Sequence, residues 1–598
     1  METGIYRFIL KYSRNQQILL LVIAALSFPF LYLSLDLPKI IINEAIGGSH
    51  FPSAVFGVGP EFEQVPYLLV LCFLFLGLVL INGLFKLYIN IYRGSMGERL
   101  LRRMRYQLIA NVQRFPLPHF RNISQGEVVS IVTTETEPLG GFMGEALSLP
   151  AFQGGTLLTL LAFMFVQDWA LGVAAIALYP VQMVLIPKLQ RRVNELGKRR
   201  VREVRKLSER LSELVGGIHE MHANDTGQYE LADFGSWLGT IFSVRVEIYR
   251  KKFFIKFLNN FLAQLTPFFF FSIGGYYVIQ GDLSFGALVA TLAAYKNLSA
   301  PWKELLTYYQ KMEDSRIKYK QLIERFEPPK MFDETLLEAH ETIDVELAGD
   351  VVANNLTVED EEGNKLVSGA SFSFRSTDHV ALIRNPGSGA GDIARLLARQ
   401  VFPTAGTITI GGHNLVEMPS AVTGRQLSYV DGDVYVSAGT LRDNLFYGLK
   451  NYPRRQPEPD AEARRLADES KLSGNSAFDR DADWIDYPAL GLDGPEGLKT
   501  RALDVLGIVG LEADAFELGL RRSIDPTAHP KIAEGILEVR AAIHGHIEDP
   551  AIAGLVQVYD RDAYNTNASV AENILHGSST SEDFAVDNLG SVDEFFMN

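Results

Sequence analysis

Six runs of mostly apolar residues lie within the first 300 positions, and they decide which solvent the chain folds in. They are Ile18–Leu35, Val65–Ile91, Ala146–Val166, Trp169–Ile186, Phe253–Ile279 and Leu283–Leu298, the last being the least apolar. A bilayer crossing takes about 20 such residues. Inside hydrocarbon every backbone N–H and C=O must be satisfied within the segment, so each run is expected to be a helix.

The charges between the runs give orientation. The connections after the first, third and fifth runs (Asn43–Gln64, Gln167-Asp168, Gln280-Gly281-Asp282) hold no Lys or Arg. Those after the second and fourth are rich in both, with Arg93, Arg99, Arg102, Arg103 and Arg105, then Arg191, Arg192, Lys198, Arg199 and Arg200. The excess of positive charge on the inner side predicts a multi-pass protein of the plasma membrane or bacterial inner membrane, with both termini cytoplasmic. Lys39, near the outer end of the first run, is the exception and can snorkel. Arg7, Lys11 and Arg14 precede the first run as in a signal peptide, but no small-residue cleavage site follows, so a retained first helix is expected.

Loop length carries further information. About fifty residues separate runs two and three and over sixty separate four and five, whereas the outer turns between three and four and between five and six are only a few residues long. The inner stretches have helical character, as in Lys188 to Arg250, so the spans are expected to continue as long helices into the cytoplasm. At 598 residues the chain exceeds a single core. Its net charge of −15 divides into +9 over residues 1–330 and −24 over residues 331–598. An acidic soluble half repels phosphate backbones, which argues against nucleic-acid binding. The single cysteine, Cys72, excludes an intrachain disulfide and a Cys-based zinc site.

Specific residues then suggest a family. Gly97-Glu98-Arg99-Leu100, Arg105, Phe115-Pro116-Leu117-Pro118-His119-Phe120 and Gly126-Glu127-Val128-Val129-Ser130 resemble the inner connection of the ABC exporter transmembrane domain. Gly281 to Leu288 followed by Pro301-Trp302 resembles its entry to and exit from the sixth span. The resemblance implies that segments near Thr134–Gly141 and His222–Phe234 are the coupling helices facing the nucleotide-binding domain, with Glu135 where the family usually has Asp. A generic six-span bundle whose glycines and prolines serve packing is the alternative.

After a polar, Pro-containing linker, residues 327–341, the pattern changes to short alternating runs. The run Val380–Ile383 is expected to be a buried strand. It leads through Arg384-Asn385-Pro386-Gly387-Ser388-Gly389-Ala390-Gly391-Asp392 into a helix-like Ile393–Leu397. A strand, a Gly-rich turn and a helix start form a phosphate cradle, in which a Lys neutralises the β- and γ-phosphates and a Ser/Thr hydroxyl ligates Mg²⁺. Here Gly387 and Gly389 remain, but the Lys position holds Ala390, the Ser/Thr position Gly391 and the first-glycine position Arg384. Asp392 adds a negative charge beside the phosphate position.

Leu427-Ser428-Tyr429-Val430 and Gly439-Thr440-Leu441-Arg442-Asp443-Asn444-Leu445 resemble the Q-loop region of an ABC nucleotide-binding domain, with Gly432 in place of its Gln. The adenine-stacking aromatic that the resemblance implies is absent, and Glu359 and Asp360 stand near its place. The fold class expected is therefore a polytopic α-helical membrane domain of six spans (residues 1–326) joined to an α/β P-loop-like ABC core (342–453), degenerate and possibly incomplete. ATP and Mg²⁺ are the cofactors the resemblance implies. The candidate binding positions are Arg384, Gly387, Ser388, Gly389, Ala390, Gly391, Asp392 and Gly432, with weak or no ATP binding and no catalytic or metal-ligating residue assigned.

Residues 454–550 have the pattern of polar helices of an enlarged helical subdomain. Within them Leu472-Ser473-Gly474-Asn475 repeats the letters of the family's signature, but no apolar strand ending in Asp-Glu follows. Instead Asp560-x-Asp562-x-Tyr564, Ser569, Glu572-Asn573 and Gly577 repeat Asp431-x-Asp433-x-Tyr435, Thr440, Asp443-Asn444 and Gly448 at a constant offset of 129 residues. This marks residues 551–577 as a partial duplication; the alternative is two independent acidic helix caps. Residues 578–598 form an acidic tail expected to be disordered.

Three functional readings follow. One is a half-transporter working with a second half-transporter, a heterodimer favoured over a homodimer, to move an unidentified substrate across the lipid bilayer. Another is a chain whose missing continuation supplies the signature and acidic strand. The third is an inactive membrane scaffold or binding subunit derived from the fold.

Overall fold

The computed structural model describes all residues other than 1, 49–50, 55–59, 124, 178, 329–330, 338–344, 361–362, 384, 386, 433, 456–457, 459, 552, 557, 559 and 576–598. The expected disordered tail lies outside the described residues. The chain forms two compact units, Met1–Asp486 and Tyr487–Asn598.

The first unit begins with long helices: α1 (Ile5–Ile40), α2 (Gln64–Gln113), α3 (Glu137–Glu145), α4 (Ser148–Gln167), α5 (Trp169–Ile176), α6 (Tyr179–Gly216), α7 (Ile218–Asn224), α8 (Gly227–Phe269) and α9 (Phe285–Phe326). At 1.5 Å per residue α2 is about 75 Å long, over twice the hydrocarbon thickness of about 30 Å. It therefore continues into water, as its arginines require. Its apolar stretch leaves Phe73, Leu76, Leu80, Leu84 and Leu87 exposed on the surface, the arrangement of a lipid-facing helix. Among the described residues four helical segments are long and apolar enough to cross a membrane: Ile5–Ile46, Gln64–Gln113, Ser148–Gln167 and Gly227–Gln280. The fourth and sixth predicted spans lie mainly on α5–α6 and α9, so each of the six runs falls largely on described helix but a count of six crossings is not established.

An inner cluster joins Phe8 and Ile9 of α1, Leu101, Met104 and Leu108 of α2, Phe142 and Met143 of α3, and Tyr319 and Phe326 of α9. Close approach of α2 and α3 depends on glycine. A Cβ on Gly144 would lie 2.4 Å from the Arg93 carbonyl, and one on Gly97 would lie 2.8 Å from that of Gly140. Arg105 closes this corner by donating to the carbonyls of Val132 (3.0 Å) and Thr133 (2.6 Å) and to Glu137 (2.6 Å). Between α7 and α8 the chain reverses at Asp225, whose φ of 52° is left-handed. The hairpin is pinned by Arg210, which reaches Glu230 at 2.7 Å and Asp233 at 3.3 Å.

The soluble part of this unit is an antiparallel sheet of β1 (Asp350–Glu359), β2 (Lys365–Arg375), β3 (Ala405–Ile410) and β4 (His413–Asn414), in the order β2-β1-β3-β4. Val351 pairs with Phe374 on one side and Ile410 on the other. Val351 and Ala353 face the core, and after the irregularity at residues 354–355 Leu356 and Val358 do so. They pack with Ile408, Leu415 and Leu396 of helix α10 (Ala390–Leu397).

Here one expectation is corrected. Val380–Ile383 is not a buried strand: it belongs to no sheet, and Ile383 is 82% exposed. Four apolar residues have strand propensity, but a strand exists only when a neighbour accepts its backbone bonds. Here no described strand pairs with them.

After α11 (Ser420–Gln426) and α12 (Leu441–Leu445), the chain pairs β5 (Lys450–Arg455) with β6 (Asp483–Ile485) around helix α13 (Ala461–Ser473). This segment straps α2: Arg99 donates through Nε and Nη2 to Glu469 at 2.9 and 2.6 Å, and Arg102 donates to Ser470 Oγ at 2.8 Å. Gly474, left-handed at φ 63°, closes α13 against the Arg103 guanidinium. Leu472–Asn475 therefore ends a helix, whereas a signature motif must open one toward phosphate. Buried Asp486 anchors the strap through Arg454 at 2.7 Å.

The second unit contains α14 (Leu498–Ile508), α15 (Glu512–Leu520), α16 (Pro530–Gly545) and α17 (Val570–Leu575). Leu498 and Leu506 are buried, while Phe516, Ile532 and Ile536 are exposed.

Candidate functional site, a degenerate phosphate loop

The loop before α10 keeps its bend. Gly387 and Gly389 are left-handed at φ 79° and 70°. Gly389 must be glycine for a second reason, because a Cβ there would lie 2.4 Å from the Leu366 carbonyl. The bend thus serves packing of the loop on β2.

Several of its amides have partners within the loop and the first turn of α10. Ser388 N–H donates to the Asn385 carbonyl, Asp392 and Ile393 N–H both donate to the Gly389 carbonyl (3.0 Å each), and Ala390 N–H lies 3.5 Å from Ser388 Oγ. Ala390 is buried as the first residue of α10, and Gly391 follows it. Arg384 lies outside the described residues.

Beside the loop is a cavity of about 520 Å³, whose lining includes Glu359, Asp360, Asp392, Asp431 and Arg395 together with Tyr429 and Tyr435. Among the described lining residues four carboxylates face one guanidinium. Arg395 is 3.8 Å from both Asp392 and Asp431. Asp431 also accepts from Gly432 N–H at 2.8 Å, which is the place of Gly432 at the site, and from Tyr429 Oη at 3.3 Å. A triphosphate entering this cavity meets like charge on several sides at once, and like charges brought close repel. Neither a Lys nor a hydroxyl stands at the cradle positions to offset it.

Sequence reasoning placed Gly387–Asp392 and Glu359-Asp360 near one another, and the cavity contains Glu359, Asp360 and Asp392. It missed Arg395 and Asp431, although Asp431 heads the duplicated motif. The inner-connection residues that share the cavity are Leu117 and Pro118. Within Thr134–Gly141, the segment expected to face the soluble core, Thr136 Oγ1 accepts from Arg105 of α2.

The two copies of the repeat share local structure. Thr440 caps α12, its Oγ1 accepting from Asp443 N–H at 3.1 Å, while Asn444 Nδ2 donates to the carbonyls of Ser437 and Thr440. In the second copy Ser569 Oγ accepts from Glu572 N–H at 3.2 Å, and Asn573 Nδ2 donates to the carbonyls of Asn565 and Ser569. A capping box needs no Asn clamp, so its recurrence favours duplication. The Thr440 hydroxyl, and then Lys450, hold the Asp443 carboxyl below its usual range, and the Ser569 backbone N–H does the same for Glu572.

Comparison with known proteins adds a family. Residues 18–302 match the ABC transporter transmembrane region. The chain is 21% identical over 394 residues to an uncharacterized ABC transporter ATP-binding protein, YfiC, of Bacillus subtilis (strain 168), covering 64% of this chain and 62% of that one. It is 22% identical over 393 residues to an ATP-dependent lipid A-core flippase of Idiomarina loihiensis, covering 63% and 66%. It is 22% identical over 360 residues to a multidrug resistance ABC transporter ATP-binding and permease protein of Lactococcus lactis subsp. cremoris, covering 60% of each. The chain thus spans under two thirds of the length of these relatives.

Proposed function

We propose, from the match of residues 18–302 to the ABC transporter transmembrane region, that the chain is an exporter-type half-transporter whose ATP hydrolysis is supplied from outside this sequence, chiefly by a partner chain. The helical domain moves substrate by alternating access, with both termini in the cytoplasm. The loop Arg384–Asp392 and Gly432 occupy the nucleotide position without performing its chemistry.

The observation that carries this reading is the acidic cavity beside a loop that has lost its Lys and its hydroxyl. Preorganised positive charge on the transferring phosphoryl group supplies several kcal/mol of barrier lowering. Glu359, Asp360, Asp392 and Asp431 supply the opposite sign. ATP and Mg²⁺ therefore act at a site whose phosphate loop belongs to another chain, which favours a heterodimer over a homodimer.

Affinity purification of the full chain from its native membrane tests this. A second ABC chain with an intact Gly-x-x-Gly-x-Gly-Lys-Ser/Thr loop is expected to co-purify, and ATPase activity of the complex is expected to vanish when that chain's loop Lys is changed to Ala. Activity that persists with that Lys removed refutes the proposal.

A further inference from the structure

The inner part of α2 is held by the soluble core at two levels. At its end the Arg114 carbonyl accepts from Phe332 N–H at 2.9 Å, and Arg114 Nε donates to the Phe332 carbonyl at 2.8 Å. Phe332 in turn packs edge-on against Phe402 of the soluble core, with ring centres 4.5 Å apart. Higher up stands α13. Glu469 accepts two bonds from Arg99, Ser470 accepts one from Arg102, and Gly474 sits against the Arg103 guanidinium with no room for a Cβ. That guanidinium also lies 3.8 Å from the centre of the Tyr12 ring of α1. Twelve residues of helix, about 18 Å, separate Arg102 from Arg114.

Two attachments fix the orientation of a helix, whereas one leaves it free to pivot. Leu101, Met104 and Leu108 bind α2 into the inner cluster, so a pivot of α2 carries α1, α3 and α9 with it. A tilt of about 10° about Arg114 would displace Arg102 by about 3 Å, which is beyond hydrogen-bond reach. The upper attachment therefore decides whether these helices can tilt on the core.

That attachment is built to release. The buried residues of α13 are two serines, Ser470 and Ser473, while its leucines, Leu466 and Leu472, are 53% and 55% exposed. No apolar side chain of α13 is buried. Polar contacts between partly exposed groups hold it, and water competes for both partners of such contacts. The lower attachment combines backbone bonds with an aromatic pair, so the upper one opens first. Release would not detach α13 from the core. Asp486, which follows β6, is buried against Arg454 of β5 at 2.7 Å and lies 3.8 Å from Arg425 of α11.

We propose that α13 is a releasable latch. Docked on Arg99, Arg102 and Arg103, it holds the inner helices untilted on the soluble core, an autoinhibited resting form; undocked, it lets them pivot on the Phe332 joint. The proposal rests on the transporter reading for its purpose, since alternating access needs helices to move as bodies. Its test reads the pivot in the chain alone, without ATP or a partner chain.

In a C72S background, which removes the single native thiol, nitroxide labels are placed on the full chain in nanodiscs. One sits at S95C, about 28 Å along α2 from the joint. The other sits in turn at K365C and at H413C, on opposite edges of the sheet. Pulsed dipolar spectroscopy then gives the distances. With Glu469 intact, the docked population is expected to dominate both pairs. The ratio of displaced to docked population is expected to rise about fivefold in E469Q and about tenfold in E469K, which sets like charges together. The displaced population should differ by about 5 Å in at least one pair. The charge swap R99E/E469K is expected to bring the ratio back toward that of the unaltered chain, which a merely misfolded E469K would not allow. Distributions in E469Q and E469K identical to those of the unaltered chain overturn the proposal, as does a displaced population undiminished by the swap. A latch that opens while no competent partner chain co-purifies stands, and the proposed energy source falls. A partner that co-purifies while E469Q shows no pivot has the opposite meaning.

Discussion

Replacing Glu469 by Gln tests whether α13 is held on α2 by the contact described. Two unit charges about 4 Å apart interact by about 4 kcal/mol at an effective dielectric near 20 and by about 1 kcal/mol in water. The Arg99 and Glu469 side chains are 33% and 38% exposed, so screening places the pair near the lower limit, with the two-pronged geometry adding a little. The expected coupling is about 1 kcal/mol, or roughly fivefold in the opening equilibrium of α13. Hydrogen exchange of the amides of residues 461–473 reads that equilibrium. In the cycle of wild type, R99Q, E469Q and the double variant, each single change should raise exchange about fivefold and the double should add little more. Arg99 holds the Glu469 carboxyl below its usual value. The contribution is therefore complete above the ordinary Glu range near pH 4.3 and is lost as pH falls through the lowered folded value. Acid should then release α13 in the wild type and leave E469Q unaltered in that window. Exchange unchanged in E469Q, or fully additive effects in the double variant, would refute the reasoning.

Gly144→Ala should lower thermal stability by about 1–3 kcal/mol, because its Cβ would meet the Arg93 carbonyl at 2.4 Å; an unaltered unfolding midpoint in detergent contradicts this. Arg399 is buried at 6% exposure with Nε and Nη2 lacking hydrogen-bond partners, so Arg399→Met should be neutral or stabilising by about 1 kcal/mol or more in the same scan. Restoring the loop letters with A390K and G391S should produce no phosphate release above a blank, since the cavity carboxylates and Gly432 remain; measurable turnover would show that the loop alone was limiting.

The helical half was legible because each of its signals is local. Twenty apolar residues in a row announce a helix in lipid, and the arginines past residue 93 announce where α2 leaves it. The change to short alternating runs after the linker was readable, and β1 and β2 lie there. What escaped were facts that depend on distant residues. Val380–Ile383 has the composition of a buried strand, and only the arrangement of its neighbours decides that it is none. Arg99 and Glu469 are 370 positions apart, and neither residue type predicts the other. The absence of a Lys and a Ser/Thr at the cradle positions was visible in Ala390 and Gly391, and Asp392 already placed one negative charge there; that Asp431 lines the same cavity required the fold.

The central claim is that this loop holds no working nucleotide. Phosphate release and equilibrium binding of Mg²⁺-ATP by the chain purified alone in nanodiscs measure that directly. The account predicts release indistinguishable from a protein-free blank and no saturable binding at millimolar nucleotide. Turnover of about 1 per second or more, a rate ordinary for an enzyme, would contradict it.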